Sequence, residues 1–229
     1  MAVGRAWRIT DRDLHILEFL TRYGAATAEQ VRREFFAESV KAAYRRLRAL
    51  EERGLVRGER IFYRMPQVYR ATEQGARLAE VDLPPPRYDL SRLHHHLEVL
   101  ELSYQLREDD EGVEDWITER EVRRDKLMAR REKETGRMGP GGKMGRTPDG
   151  LLVLVSGDLV AVELELTAKR NADYKRILAD YARQLDGGEV DAVHFYFASA
   201  KVMQRVEELS RGYDDLFGRI EFWRWEPVF

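Results

Sequence analysis

The chain has 229 residues, no cysteine and a formal net charge of −2. That length supports one large or two modest domains with their own cores, and without cysteine no disulfide can hold them together. No apolar run is long enough to cross a bilayer, and the start, MAVGRAWRITDRD, lacks the apolar stretch of a secretion signal, so a cytoplasmic protein without membrane contact is expected.

Charged residues make up 35% of the chain and nearly cancel, so any argument about an anionic partner rests on where the charges sit. Thr10-Asp11 followed by Leu14, Ile16, Leu17, Phe19 and Leu20 predicts a capped amphipathic helix that Gly24 ends. Thr27-Ala28-Glu29-Gln30 has capping-box spacing before Val31, Phe35 and Phe36, which predicts a short second helix. A third helix begins near Glu38-Ser39. Val40, Ala43, Tyr44, Leu47 and Leu50 recur along it at helical spacing, leaving Lys41, Arg45, Arg48 and Glu52 on the opposite side. From Leu55 to Thr72, β-formers (Val56, Ile61, Phe62, Tyr63, Val68, Tyr69) interrupted by Gly58 and Met65-Pro66-Gln67 predict a small hairpin.

Three short helices and a hairpin, with the phrase from Leu47 to Val56 (LRALEERGLV), resemble a winged helix-turn-helix over roughly residues 10 to 80. The resemblance implies that the third helix enters the major groove of DNA, with Lys41, Arg45, Arg46 and Arg48 at phosphates or base edges and Arg57, Arg60 and Arg64 on the wing. A protein-binding module with a solvated arginine face is the other use of such a fold. Leu83-Pro84-Pro85-Pro86-Arg87 cannot continue a helix, which sets an expected boundary between a domain at 1–82 and one at 83–229.

Asp89-Leu90-Ser91 predicts the cap of a helix carrying Leu93, Leu97, Leu100 and Tyr104. Its His94, His95 and His96 point about 100° apart and cannot converge on one ion; His95 remains a candidate for some other role. Val113 to Val122 reads as a strand. Residues 123–147, with Arg123, Arg124, Lys126, Arg130, Arg131, Arg137, Lys143 and Arg146, read as a long electropositive loop, ordered on DNA or disordered without it.

The apolar run Leu151–Val155, the turn Ser156-Gly157-Asp158 and the strand beyond it predict a central hairpin. Period two sends Val160, Val162, Leu164 and Leu166 to one side and Ala161, Glu163, Glu165 and Thr167 to the other. A three-residue turn at 156–158 puts Asp149 opposite Glu165 and diagonal to Glu163; a two-residue turn at Gly157-Asp158 puts it opposite Leu166, on the wrong face. Three carboxylates on one face call for a cation such as Mg²⁺ or for exposure to water; the alternative is that Glu163 and Glu165 face water on an edge strand or pair with arginines. A helix at about 171–185, a strand at 192–198, another helix and a last strand at 220–225 follow. Phe222, Trp223 and Trp225 on that strand are expected in the core, or in the interface of a homodimer.

Helix, strand, hairpin, helix, strand, with Pro148-Asp149 and Glu163, resembles the PD-(D/E)XK nuclease core over about residues 90 to 200. The fold expected is therefore α/β (α+β): a winged helix-turn-helix followed by a mixed-sheet αβββαβ domain. The resemblance implies that Asp149 and Glu163 hold Mg²⁺, while a lysine two positions after the Glu assists the attacking water. That position is Glu165 here; Lys169 or Lys175 is left to supply the amine, and a degenerate, non-catalytic core is the alternative. The winged helix, His95-His96-Leu97-Glu98-Val99, Pro148-Asp149 and Glu163-Leu164-Glu165-Leu166-Thr167 together resemble the replication-relaxation family of plasmids and mobile elements, which implies a role in DNA replication or processing.

Overall fold

The computed structural model describes residues 8–37, 39–61, 65–87, 90–109, 111–134, 145–213, 216 and 218–229. Contacts divide the chain into two compact units, Met1–Leu97 and Glu98–Phe229, and the division falls inside the helix that follows the proline stretch.

In the first unit, helix α1 (Asp11–Tyr23) starts at a reciprocal cap between Thr10 and Asp13 and stops at Gly24, whose φ of 84° suits glycine. Thr27 serves two elements. It closes strand β1 (Ala26–Thr27) and caps helix α2 (Ala28–Phe35) together with Gln30. Helix α3 (Val40–Glu51) follows, then strands β2 (Val56–Glu59) and β3 (Val68–Ala71) and helix α4 (Glu73–Leu78). The three strands pair antiparallel in the order β1-β3-β2, which is the small sheet of a winged helix. Its core combines Ile16, Leu17 and Leu20 of α1 with Val31, with Ala43, Leu47 and Leu50 of α3, and with Val56 and Val68 of the wing.

The sequence places Val40 and Tyr44 on the buried stripe of α3, and the structure does not. They are 39% and 45% exposed. Ala43, Leu47 and Leu50 already form a stripe at i, i+4 and i+7, and Tyr44 lies about 100° round the helix from Ala43, so it turns outward with the basic residues.

Helix α5 (Leu90–Asp109) leads into the second unit, where strand β4 (Val113–Thr118), helix α6 (Glu119–Glu134), strands β5 (Gly150–Leu154) and β6 (Leu159–Glu165), helix α7 (Asn171–Asp186), strand β7 (Ala192–Phe197), helix α8 (Ala200–Ser210) and strand β8 (Ile220–Arg224) follow. The five strands form one mixed sheet in sequence order, antiparallel from β4 to β6 and parallel from β6 to β8. The two parallel connections run through α7 and α8. Tyr174, Leu178 and Tyr181 of α7 and Val206 of α8 pack into one cluster with Ala161 of β6 and with Val193, Phe195 and Phe197 of β7. The fold is thus the expected α+β chain, with two departures.

Residues 119–134 are a helix, where an electropositive loop is expected from 123 on. Thr118 and Glu121 cap it reciprocally, and Glu119 pairs with Arg123 one turn on. Arg137 and Lys143, like the side chains of Arg130 and Arg131, lie outside the described residues. The hairpin register also differs. Leu154 N–H donates to the Asp158 carbonyl at 2.9 Å, so the turn is 155–157, with Gly157 at φ 89° and Val155 69% exposed. Gly150 then faces Val162, which brings Asp149 alongside Glu163 and Leu164 and not opposite Glu165. At the last strand Phe222 packs against the core and Trp225, just past the strand's end, is buried, as expected, whereas Trp223 is half exposed.

Two packing constraints can be checked. Asp13 is wholly buried beneath Arg46, and although burial alone would raise its carboxyl, hydrogen bonds from Arg46 and Thr10 and the guanidinium charge hold it below its ordinary value of 3.8. Its contribution is fully present above that value and is lost as pH falls below it. Arg46→Ala is expected to cost about 3 kcal/mol in urea unfolding at neutral pH, with the deficit shrinking under acid. At Gly150 an added Cβ would sit 1.9 Å from the Trp116 ring, so Gly150→Ala is expected to lose about 1–3 kcal/mol in the same measurement.

Candidate functional site

Two regions gather the residues singled out by sequence. The first is the outer face of α3. Lys41, Arg45 and Arg48 are exposed along it, with Tyr44 and Val40 beside them. Arg48 makes an exposed ion pair with Glu52 at 3.1 Å, and among the described residues Lys41 and Arg45 have no acidic partner. Arg46 faces the other way and is taken up by Asp13, so its role in the structure is to anchor α3 on α1. On the wing, Arg57 pairs with Glu59 while Arg60 is exposed; Arg64 lies outside the described residues.

The second region lies on β6, the middle strand of the large sheet. Ala161, Glu163 and Glu165 point to one face, as the alternation predicts, and that face is covered by α7. Glu163 is 1% exposed and Glu165 2%. Because β6 is central, the acids do not face water on an edge strand, and the other half of that alternative, pairing with arginine, holds for Glu163.

Each acid holds a cation of its own chain. Arg146 donates from Nε and Nη2 to the two oxygens of Glu163 at 2.5 and 2.6 Å, and the Tyr181 hydroxyl donates to Oε1. Lys169 Nζ donates to both oxygens of Glu165, and the Tyr174 hydroxyl donates to Oε2 at 3.4 Å. The Asp149 carboxylate accepts the backbone N–H of Leu164 at 2.9 Å.

Arg146 is itself fixed from behind. Its carbonyl accepts from Lys126 Nζ of α6 at 2.5 Å and from Gln184 Nε2 of α7 at 3.2 Å. Burial raises the Glu163 carboxyl, against the pull of Arg146; it likewise raises Glu165, against the Lys169 charge. Burial and the neighbouring Glu163 charge push the Tyr181 hydroxyl well above its ordinary range, so it stays a donor. Burial works to lower the Arg146 guanidinium, but the hydrogen bonds and charge of Glu163 outweigh it and keep Arg146 protonated.

These contacts bear on whether Mg²⁺ fits. A hard divalent ion needs several oxygens that are free to turn toward it. The four oxygens of Glu163 and Glu165 all accept from a guanidinium or an ammonium, and one Asp149 oxygen is committed to the backbone. Among the described residues no group of three or more His, Asp or Glu is placed to hold a metal. The residues present therefore fit fixed organic cations and do not fit Mg²⁺. Of the two candidate lysines, Lys169 joins the cluster and Lys175 lies exposed on α7. His95 belongs to the first unit, half-buried on α5, with its ring 6.3 Å from that of His96.

Arg146, Tyr181 and Tyr174 are the members that sequence reasoning did not assign to the site. Arg146 stood among the basic residues of a supposed loop; its position three residues before Asp149 was the available signal. Arg146→Ala leaves Glu163 buried without a counter-charge and is expected to cost about 3 kcal/mol in denaturant unfolding. Adding Glu163→Gln removes that charge and is expected to recover more than half of the loss.

A family model described as replication-relaxation matches residues 17–197. No protein of curated function matches the sequence. Among solved structures, Lactococcus lactis ZitR in complex with DNA shares 18% identity over 58% of this chain and 81% of its own, with a TM-score of 0.29. The adhesin competence repressor of Streptococcus pyogenes shares 18% over 56% of this chain and 83% of its own, with a TM-score of 0.28. No helix among the described residues is long and apolar enough to cross a membrane.

Proposed function

The chain belongs to the replication-relaxation family, and on that premise we propose that it is a DNA-binding protein acting in the replication or processing of a plasmid or mobile element. The observation that carries this reading is the outer face of α3. Lys41, Arg45 and Arg48 stand exposed on a helix whose core side is complete without them. Basic side chains on such a helix neutralise phosphates and release counterions, which gives affinity regardless of sequence. Tyr44 and Val40 on the same face add apolar surface of the kind that meets thymine methyl groups in the major groove. Arg60 extends the basic face to the wing.

For the second unit we favour the non-catalytic alternative, a PD-(D/E)XK-like core serving as a replication accessory or regulatory domain. What supports it is the engagement of Glu163 and Glu165 by Arg146 and Lys169, together with a glutamate at the position where the nuclease pattern has its lysine.

The test is anisotropy of a labelled duplex over a salt series, with cleavage of single-stranded, duplex and branched DNA assayed in parallel in Mg²⁺ and Mn²⁺. Lys41→Ala and Arg45→Ala are each expected to weaken binding and to reduce the slope of log Kobs against log salt by about 0.9. No cleavage is expected. Salt-independent or absent DNA binding would overturn the DNA reading, and metal-dependent cutting that Asp149→Ala and Glu163→Ala abolish would overturn the non-catalytic one.

A further inference from the structure

We propose that Arg146 and Lys169 form a metal-independent phosphate site that takes the phosphodiester backbone of DNA; the choice of DNA as its source rests on the function proposed above. Glu163 and Glu165 are two residues apart on one strand face, about 7 Å along the strand, and each holds one of the two cations, which places both on the same side of the sheet.

The acids lie beneath and the cations above. The carboxylates are 1% and 2% exposed, whereas the side chains of Arg146 and Lys169 are 28% and 38% exposed. Arg146 spends Nε and Nη2 on Glu163, which leaves Nη1 with two N–H groups for a ligand. Lys169 gives a hydrogen bond to each oxygen of Glu165 and has a third N–H remaining. Because each cation is tethered by a buried acid, it loses little side-chain freedom when a phosphate arrives, which is the condition for a preorganised contact.

Further arginines stand around the two pairs. Asp173, in the first turn of α7, is neutralised by Arg170 and Arg176. Arg205 stacks over the Tyr174 ring at 5.4 Å and donates to the Lys169 carbonyl at 3.0 Å, which fixes the backbone from which Lys169 projects. Asp149 is the opposing charge, half-buried and hydrogen-bonded to the Leu164 amide. In a metal nuclease a divalent ion bridges carboxylates to phosphate; here the guanidinium and ammonium would do so as permanent parts of the chain.

The experiment uses the full chain and two charge-neutral double variants, R146Q/E163Q and E165Q/K169Q, each checked by circular dichroism and thermal unfolding. Net charge is unchanged in both, so long-range attraction to DNA is preserved and only direct contacts are lost. Anisotropy of a labelled duplex is read over a salt series in EDTA and again in Mg²⁺.

The expected result is wild-type binding in EDTA that Mg²⁺ does not strengthen, and a salt slope reduced by about 0.9 for each phosphate contact removed. Slopes unchanged in both folded variants, with wild type binding DNA, would overturn this site alone. Wild type that fails to bind a duplex at any salt would overturn this site and the DNA reading together. Inorganic phosphate that raises the wild-type Tm but not that of R146Q/E163Q, with unchanged DNA slopes, would assign the pocket to free phosphate instead.

Discussion

Taking a carboxylate out of water costs several kcal/mol unless a counter-charge and hydrogen bonds replace its hydration. The second unit carries two such groups, Glu163 and Glu165, on its central strand, and much of its architecture answers that cost. Covering strand β6 with α7 requires that the acids be neutralised. Arg146 and Lys169 do this from the two chain segments that flank the hairpin, and Tyr181 and Tyr174 of α7 complete the hydrogen bonding from the covering helix itself. The segment that brings Arg146 is held in turn by Lys126 and Gln184, which ties α6 and α7 to the same centre.

The first unit and the chain end use the same device. Asp13, buried in α1, takes Arg46 from α3 and so fixes which face of α3 turns outward. With Arg46 drawn in, Lys41, Arg45 and Arg48 share the exposed face with Tyr44. Glu98 of α5, also fully buried, accepts the Trp225 indole N–H at 2.9 Å and the backbone N–H groups of Val228 and Phe229, which docks the residues after β8. In each case a buried acid joins segments distant in sequence. Such contacts reward only the assembled fold and penalise partial ones, because an unpaired member would be left stranded in the core.

Local signals in the sequence carried most of the secondary structure. The Thr10 and Thr27 caps, the glycines at 24 and 54, and the alternation along Val160–Leu166 each act within a few residues, and each element stands where those signals put it. Helix α6 escaped because a helix with so few apolar residues has little periodicity to read; the Thr118-to-Glu121 capping box was its legible mark. The hairpin register depended on one glycine angle, which the sequence alone leaves open between neighbouring turns. The carboxylate pair is visible as a pattern, and pairing with arginine as one way to satisfy it, but which residues do so is not. Arg146 and Tyr181 lie 17 and 18 residues from Glu163, and nothing local distinguishes a basic residue on an open surface from one that pairs with a buried acid.

The most direct measurement of the central claim, that the chain's own cations occupy the carboxylate centre, is thermal unfolding with and without Mg²⁺ or Mn²⁺. A ligand that binds the folded state at a hundred times its Kd stabilises by about 2.7 kcal/mol, enough for a clear rise in Tm. The account predicts no metal-dependent rise for the wild-type chain. A rise with Mn²⁺ or Mg²⁺ that Asp149→Asn abolishes would contradict it.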